Sequence, residues 1–140
     1  MSKTMNDLGM SDQVAHPLVL FRNHLEFLGY NVEEATENLV CRHTRRPNLI
    51  LKPISDRGVL VSALYTLHED LDRLEVLEYT NALNRALVFM KALVEEEEDL
   101  VLETFFEGHY DRTNFAILLD NVDYDMRTFL DSESTQKYVS

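Results

Sequence analysis

One cysteine in 140 residues, Cys41, leaves no partner for an internal disulfide, so neither a disulfide-held secreted scaffold nor an oxidising compartment is indicated. Bases are also scarce. Thirteen Lys and Arg against 25 Asp and Glu give a net charge of -12, a field that repels phosphate backbones and argues against nucleic acid as a partner. No apolar run approaches the roughly 18 residues of a membrane span, and residues 1–16 lack the apolar centre of a signal peptide. No membrane partner is expected, and the cytoplasm is the default address.

Reactive constellations are missing too. The sequence has no phosphate-binding glycine loop, no G-x-S-x-G and no Ser/His/Asp set in a supporting context. His16, His24, His43, His68 and His109 are scattered, and only Cys41 and His43 share a strand face. A zinc site needs three or four convergent donors. Residues 120–131 have the length of a calcium loop, but Val122 and Tyr124 stand where oxygen donors belong and Asp125 where glycine belongs. The chain is therefore expected to be non-enzymatic, with no catalytic residue, metal or cofactor.

What is present is periodic. The length suits one domain with its own core. Leu18, Phe21, Leu25 and Leu28 fall at helical spacing after Pro17, and Gly29 supplies a helix exit. The period then becomes two over residues 36–44, 48–54 and 58–67, which predicts a three-stranded antiparallel meander; Pro53 cannot donate to a ladder, so the second run either ends there or turns that position away from a partner. Residues 71–87 return to helical spacing. Two apolar, β-branched runs at 87–94 and 100–106 flank the acidic tip 95–99 and predict a hairpin. After an N-cap signal at 109–111, Phe115, Leu118, Leu119, Val122, Met126, Phe129 and Leu130 mark a last helix. The expected fold is α+β: helix, three-stranded meander, helix, β-hairpin, helix. Residues 1–14 read as a disordered tail, 15–131 as the domain and 132–140 as a polar C-terminal tail.

Strand alternation divides the sheet residues into two sets. Leu39, Cys41, Leu49, Leu51, Val59, Val61, Ala63, Val88, Met90, Leu100, Leu102 and Phe106 make one apolar floor for the helices. On the other face Val40, Ile50, Leu60, Leu64, Phe89, Leu93, Val101 and Phe105 alternate with Arg42, Lys52, Ser62, Thr66, Lys91, Glu103 and Glu107. A one-sided sheet should be mostly polar there, so this face needs a cover: a crossing helix, a second copy or a client. Asn81 and Asn84, at the end of the central helix, are placed to hold the backbone of the turn that follows.

The run Asn81-Ala82-Leu83-Asn84-Arg85-Ala86-Leu87, ending a central helix that enters a strand hairpin in a small acidic chain, resembles the YbjN-domain family. Over residues 17–130 the element order also looks like the related fold of the type III secretion chaperones, the Tir-chaperone group. The resemblance implies a non-enzymatic, often dimeric bacterial domain: a sensory-transduction regulator, or a chaperone-like domain that binds a peptide or holds an extended client segment. The expected partners are thus a protein or peptide client and a second copy in a homodimer. Val40, Arg42, Ile50, Lys52, Leu60 and Leu64 are the candidate partner-binding residues, the two cations selecting acidic segments. Leu83, Leu87, Phe89, Leu93, Val101 and Phe105 are the candidate oligomer interface.

Overall fold

The computed structural model describes residues 16–96 and 98–140; the tail expected over 1–14 lies outside them. In chain order the elements are α1 (Val19–Phe27), β1 (Asn31–Glu34), β2 (Leu39–Arg42), β3 (Leu49–Ile54), β4 (Gly58–Thr66), α2 (Arg73–Ala86), β5 (Lys91–Glu95), β6 (Asp99–Glu107), α3 (Arg112–Asp131) and α4 (Glu133–Tyr138). The strands form one six-stranded sheet in the order β1-β2-β3-β4-β6-β5, with every neighbouring pair antiparallel. This is the α+β architecture that the periodicities predict.

One core cluster holds the domain together. It joins Leu39, Cys41, Leu49, Leu51, Val59, Val61, Ala63, Leu100, Leu102 and Phe106 from the sheet to Phe21 and Leu25 of α1, Val76, Tyr79 and Leu83 of α2, Phe115, Leu119, Val122, Met126 and Phe129 of α3, and Tyr138 of α4. All of these strand residues share one face. No residue of the opposite face belongs to the cluster, so among the described residues no helix crosses to that side. Edge-on rings fix one end of the core, with Phe21 against Phe106, Tyr110 and Phe115 at centroid separations of 5.4, 5.1 and 5.0 Å.

Local signals end the elements where the residues dictate. Gly29 takes φ +94 after α1. Asp72 and Asp111 cap α2 and α3 through their carboxylates, which accept from the N–H groups of Glu75 and Asn114 at 3.1 and 2.8 Å. Gly58 begins β4 because a Cβ there would lie 2.0 Å from the carbonyl oxygen of Phe106. Pro53 pairs with Val59 in a β3 whose pairing with β2 reaches only Leu51. Its missing donor therefore faces an empty flank, the second of the two placements that the sequence allows.

Three segments differ from the sequence expectation. Residues 31–34 form the edge strand β1 on β2; Val32 is its sole apolar residue, so no period-two pattern announces it. Residues 132–140 do not form a tail. They fold as α4 and a bridge of Val139 to Leu67, with the Tyr138 ring stacked on Tyr79 at 4.7 Å and Thr135 Oγ1 2.6 Å from the Tyr79 hydroxyl. Two buried side chains and a few backbone bonds hold this strap, too little apolar content for a periodic signal.

The third difference has a single cause. The strand expected from residue 87 starts only at Lys91, because Val88, Phe89 and Met90 turn their N–H groups to the carboxylate of Asp125 on α3, at 3.0, 2.7 and 2.7 Å. Val88, expected on the floor, is left 64% exposed, whereas Met90 reaches the core. Asp125 is wholly buried. A buried carboxylate is tolerable only when its charge is fully hydrogen-bonded, and three backbone donors meet that need. Asp125→Asn replaces one acceptor oxygen by a donor facing those amides. It should cost about 3 kcal/mol or more in chemical denaturation, whereas Asp120→Asn on the exposed side of the same helix should stay within about 0.5 kcal/mol.

Candidate functional site

The outer face of the sheet is built from the residues that alternate with the core set, and the strand register fixes how they meet. Val40 stands opposite Ile50, and Ile50 opposite Ser62. Lys52 faces Leu60, and Leu60 faces Phe105. Leu64, Val101 and Leu93 form a row across β4, β6 and β5. In that row Val101 is only 6% exposed although no helix covers it, since Leu64 and Leu93 flank it, while Leu64 itself is 50% exposed. Phe105 is 43% exposed. Val40, Ile50, Leu60 and Leu93 are half-buried.

This arrangement redistributes the residues singled out from the sequence. Leu93, Val101 and Phe105, assigned to an oligomer interface, lie on the same continuous face as Val40, Ile50, Leu60 and Leu64, assigned to a partner. The sheet has one open apolar face, not two sites. Leu83 and Leu87 are corrected: both are buried in the chain's own core at 5% and 8% exposure, because α2 turns that side toward β5, and they have no surface to give a second chain. Phe89 sits in the turn before β5, its ring edge-on to Tyr124 of α3 at 6.2 Å.

Charge on the face is largely paired. Arg42 reaches Glu33 at 3.4 Å and Lys91 reaches Glu103 at 3.2 Å. Glu103, between Ser62 and Lys91 in the ladder, is the more enclosed partner, its side chain 16% exposed. Lys52 has no ion-pair partner among the described residues, so of the two cations proposed as selectors it is the one with an uncommitted charge.

Both outermost edges of the sheet are guarded. On β5, the Asn84 side chain donates to the Ala92 carbonyl at 2.8 Å and accepts from the Ala92 N–H at 2.6 Å, filling the position that an added strand would take. The sequence places Asn84 to hold the turn that follows α2; it holds backbone instead on the outer edge of β5, while Asp125 holds the turn. Asn81, by contrast, is exposed and forms no such bond. At the other end, β1 is four residues long and carries Glu33 and Glu34, a length and charge that discourage pairing. Docking at this sheet is therefore favoured on its face over its two outer edges.

Clefts among the described residues include three near the sheet's ends and edges. One, of about 670 Å³, lies among the start of α1, the β3–β4 turn and the β6–α3 loop; another, of about 540 Å³, has Glu69, Asp70, Glu96 and Glu98 around an apolar base. The third, of about 310 Å³, runs between β6 and α3. Groups with displaced pKa values lie elsewhere. Burial pushes the Cys41 thiol and the Tyr30 phenol up to about 12. It also raises Tyr65, Tyr79 and Asp123 and lowers His24. None of these six lines any of the three clefts.

No family model matches the sequence, and no curated protein matches it. Among solved structures, the crystal structure of YbjN from E. coli, a candidate transcription regulator, is similar with a TM-score of 0.70 and 15% sequence identity, over 88% of this chain and 95% of that one. At such identity the likeness is one of fold. The chain has a YbjN-like fold.

Asn84→Ala should uncover the β5 edge. Hydrogen exchange at the Ala92 amide should accelerate by at least about tenfold, with a stability loss of roughly 1–2 kcal/mol. Concentration-dependent association should increase as the edge becomes available.

Proposed function

We propose that this chain is a non-enzymatic protein-binding domain, chaperone-like or regulatory in kind, that docks a partner protein face-on against the outer surface of its sheet. The observation that carries the reading is the segregation of layers: the four helices contribute to a core on one face, and the other leaves Leu64 and Phe105 exposed and Ile50, Leu60 and Leu93 half-buried around a screened Val101. Soluble proteins rarely leave such a surface uncovered. The likeness of fold to YbjN, a candidate transcription regulator, supports the regulatory form of this reading; the chaperone-like form rests on the open face. Lys52 favours a partner that carries an acid beside apolar side chains.

A symmetric homodimer through this face is the second reading, favoured by the charges it displays. Arg42 and Lys91 sit beside Glu33 and Glu103, so two copies can meet with opposite charges in register.

Leu64→Asp places a charge in the middle of the face at a half-exposed position that does not support the core. Crosslinking in the source cell should show partners of the wild type that are lost from Leu64→Asp and retained by Leu130→Asp, a control at an exposed leucine of α3. Lys52→Glu should weaken the same complexes. Sedimentation separates the two readings: a wild-type dimer that Leu64→Asp dissolves supports the homodimer, and a monomer with face-dependent partners supports the client. Partners identical for all variants, with a monomeric wild type, would refute both.

A further inference from the structure

We propose that the edge of β6 from Phe105 to Glu107 is a strand-addition site for a short extended segment of another protein carrying a basic residue followed by two apolar ones. The inference concerns a backbone edge that meets the sheet's face at the Phe105 ring, and it does not rest on the docking proposed for that face.

The ladder dictates which amides are open. Ala92 spends both its N–H and its C=O on Asn84, away from β6, so Ala92 and Leu102 are a non-hydrogen-bonded pair and the neighbouring pairs Lys91–Glu103 and Leu93–Val101 exchange the bonds. In β6 the odd-numbered residues therefore point their backbone groups toward β5, and the even-numbered ones toward β4. The bond from the Gly108 N–H to the Arg57 carbonyl, 2.8 Å, fits this alternation. Phe105 and Glu107 thus aim N–H and C=O at the flank where β5 has already ended.

The residues that would continue β5 there are committed elsewhere. In the same register Phe89 would face Phe105 and Leu87 would face Glu107. The Phe89 N–H goes instead to Asp125 and its carbonyl accepts from the Thr104 hydroxyl; the Leu87 N–H closes α2 on Leu83 at 2.9 Å. Among the described residues neither Phe105 nor Glu107 gains a backbone partner on this side. Asp125 therefore holds open an internal step of the sheet, while the two outer edges are guarded.

The step has a shaped flank. The cleft of about 310 Å³ lies along it, with Phe89 at one end and Asn114, Ile117 and Leu118 of α3 as its wall; Phe89 and Ile117 are 45% and 52% exposed. A segment running antiparallel to β6 would place its residue opposite Phe106 into the cleft against Ile117 and Leu118, and its residue opposite Phe105 on the outer side beside that ring. The residue opposite Glu107 would lie next to a carboxylate on a chain of net charge -12, which favours Lys or Arg as the cross-strand neighbour.

Hydrogen exchange by NMR on the whole chain tests the first half. The Phe105 and Glu107 amides should exchange freely while Thr104 and Phe106, bonded toward β4, are protected; equal protection of all four would overturn the proposal. The second half uses the peptide acetyl-Ser-Lys-Ile-Val-Ser-amide, titrated to millimolar concentration. Binding should protect Phe105 and Glu107 and shift Ile117. N-methylation of the peptide's Val, whose N–H meets Phe105, should weaken binding at least about tenfold, while N-methylation of its Ile, whose N–H points outward, should change it by no more than about threefold. Replacing the peptide's Lys by Glu should weaken binding about threefold, and Glu107→Lys should reverse that preference. No binding, or equal binding of the two N-methylated forms, would refute the site. Leu64→Asp, which disables the outer face, should leave this binding unchanged, so failure of one surface is distinguishable from failure of the other.

Discussion

A buried carboxylate with nowhere to put its charge except three consecutive backbone amides organises the centre of this molecule. Asp125 projects from α3 into the junction where the chain leaves α2, and Val88, Phe89 and Met90 close around it. The junction must bring a helix end beside a strand without leaving its backbone donors unpaired in the core. Asp125 satisfies them from one side chain, and in doing so ties α2, β5 and α3 into a unit. Asn84, in the last turn of α2, completes the tie by bonding both backbone groups of Ala92. These two residues decide where β5 begins, which of its edges is closed and which part of β6 stays open.

The second organising constraint is the one-sided placement of the helices. α1, α2, α3 and α4 contribute to a single core on the floor of the sheet, and the outer face keeps a mixed character that one buried core cannot explain. Its apolar residues screen one another, as Val101 shows between Leu64 and Leu93, and its ions pair locally. A surface of that kind is soluble enough to persist and apolar enough to dock. In the proposed reading its guarded outer edges direct a broad contact to the face, whereas the cleft beside β6 suits a narrow, backbone-directed one. The two surfaces share Phe105, whose side chain belongs to the face and whose amide belongs to the step.

Much of the fold was written in local periodicity. The alternation of residues 39–41, 49–51, 59–63 and 100–106 assigned the buried floor residue by residue, because one side of each strand must be dry. Gly29 and Asp111 announced their roles because positive φ and N-capping are local chemistry. The apolar character of the opposite face was equally legible.

Tertiary structure alone decided the rest. Asp125 stood out in the sequence only as a residue wrong for a calcium loop, although an acid three residues after Val122 and four before Phe129 lies on the apolar stripe of its helix and marks a buried ion in need of donors. Those donors come from a segment 35 to 37 residues away, and no local pattern reports them. The same distance dependence hid β1, which is a strand because β2 is beside it, and α4, which is ordered because Tyr79 and Leu67 receive it. It also hid the burial of Leu83 and Leu87 and the union of two candidate surfaces into one. Period and capping are properties of neighbours along the chain. Which apolar face finds a cover, and which backbone edge is left open, depends on elements that meet only when the chain is folded.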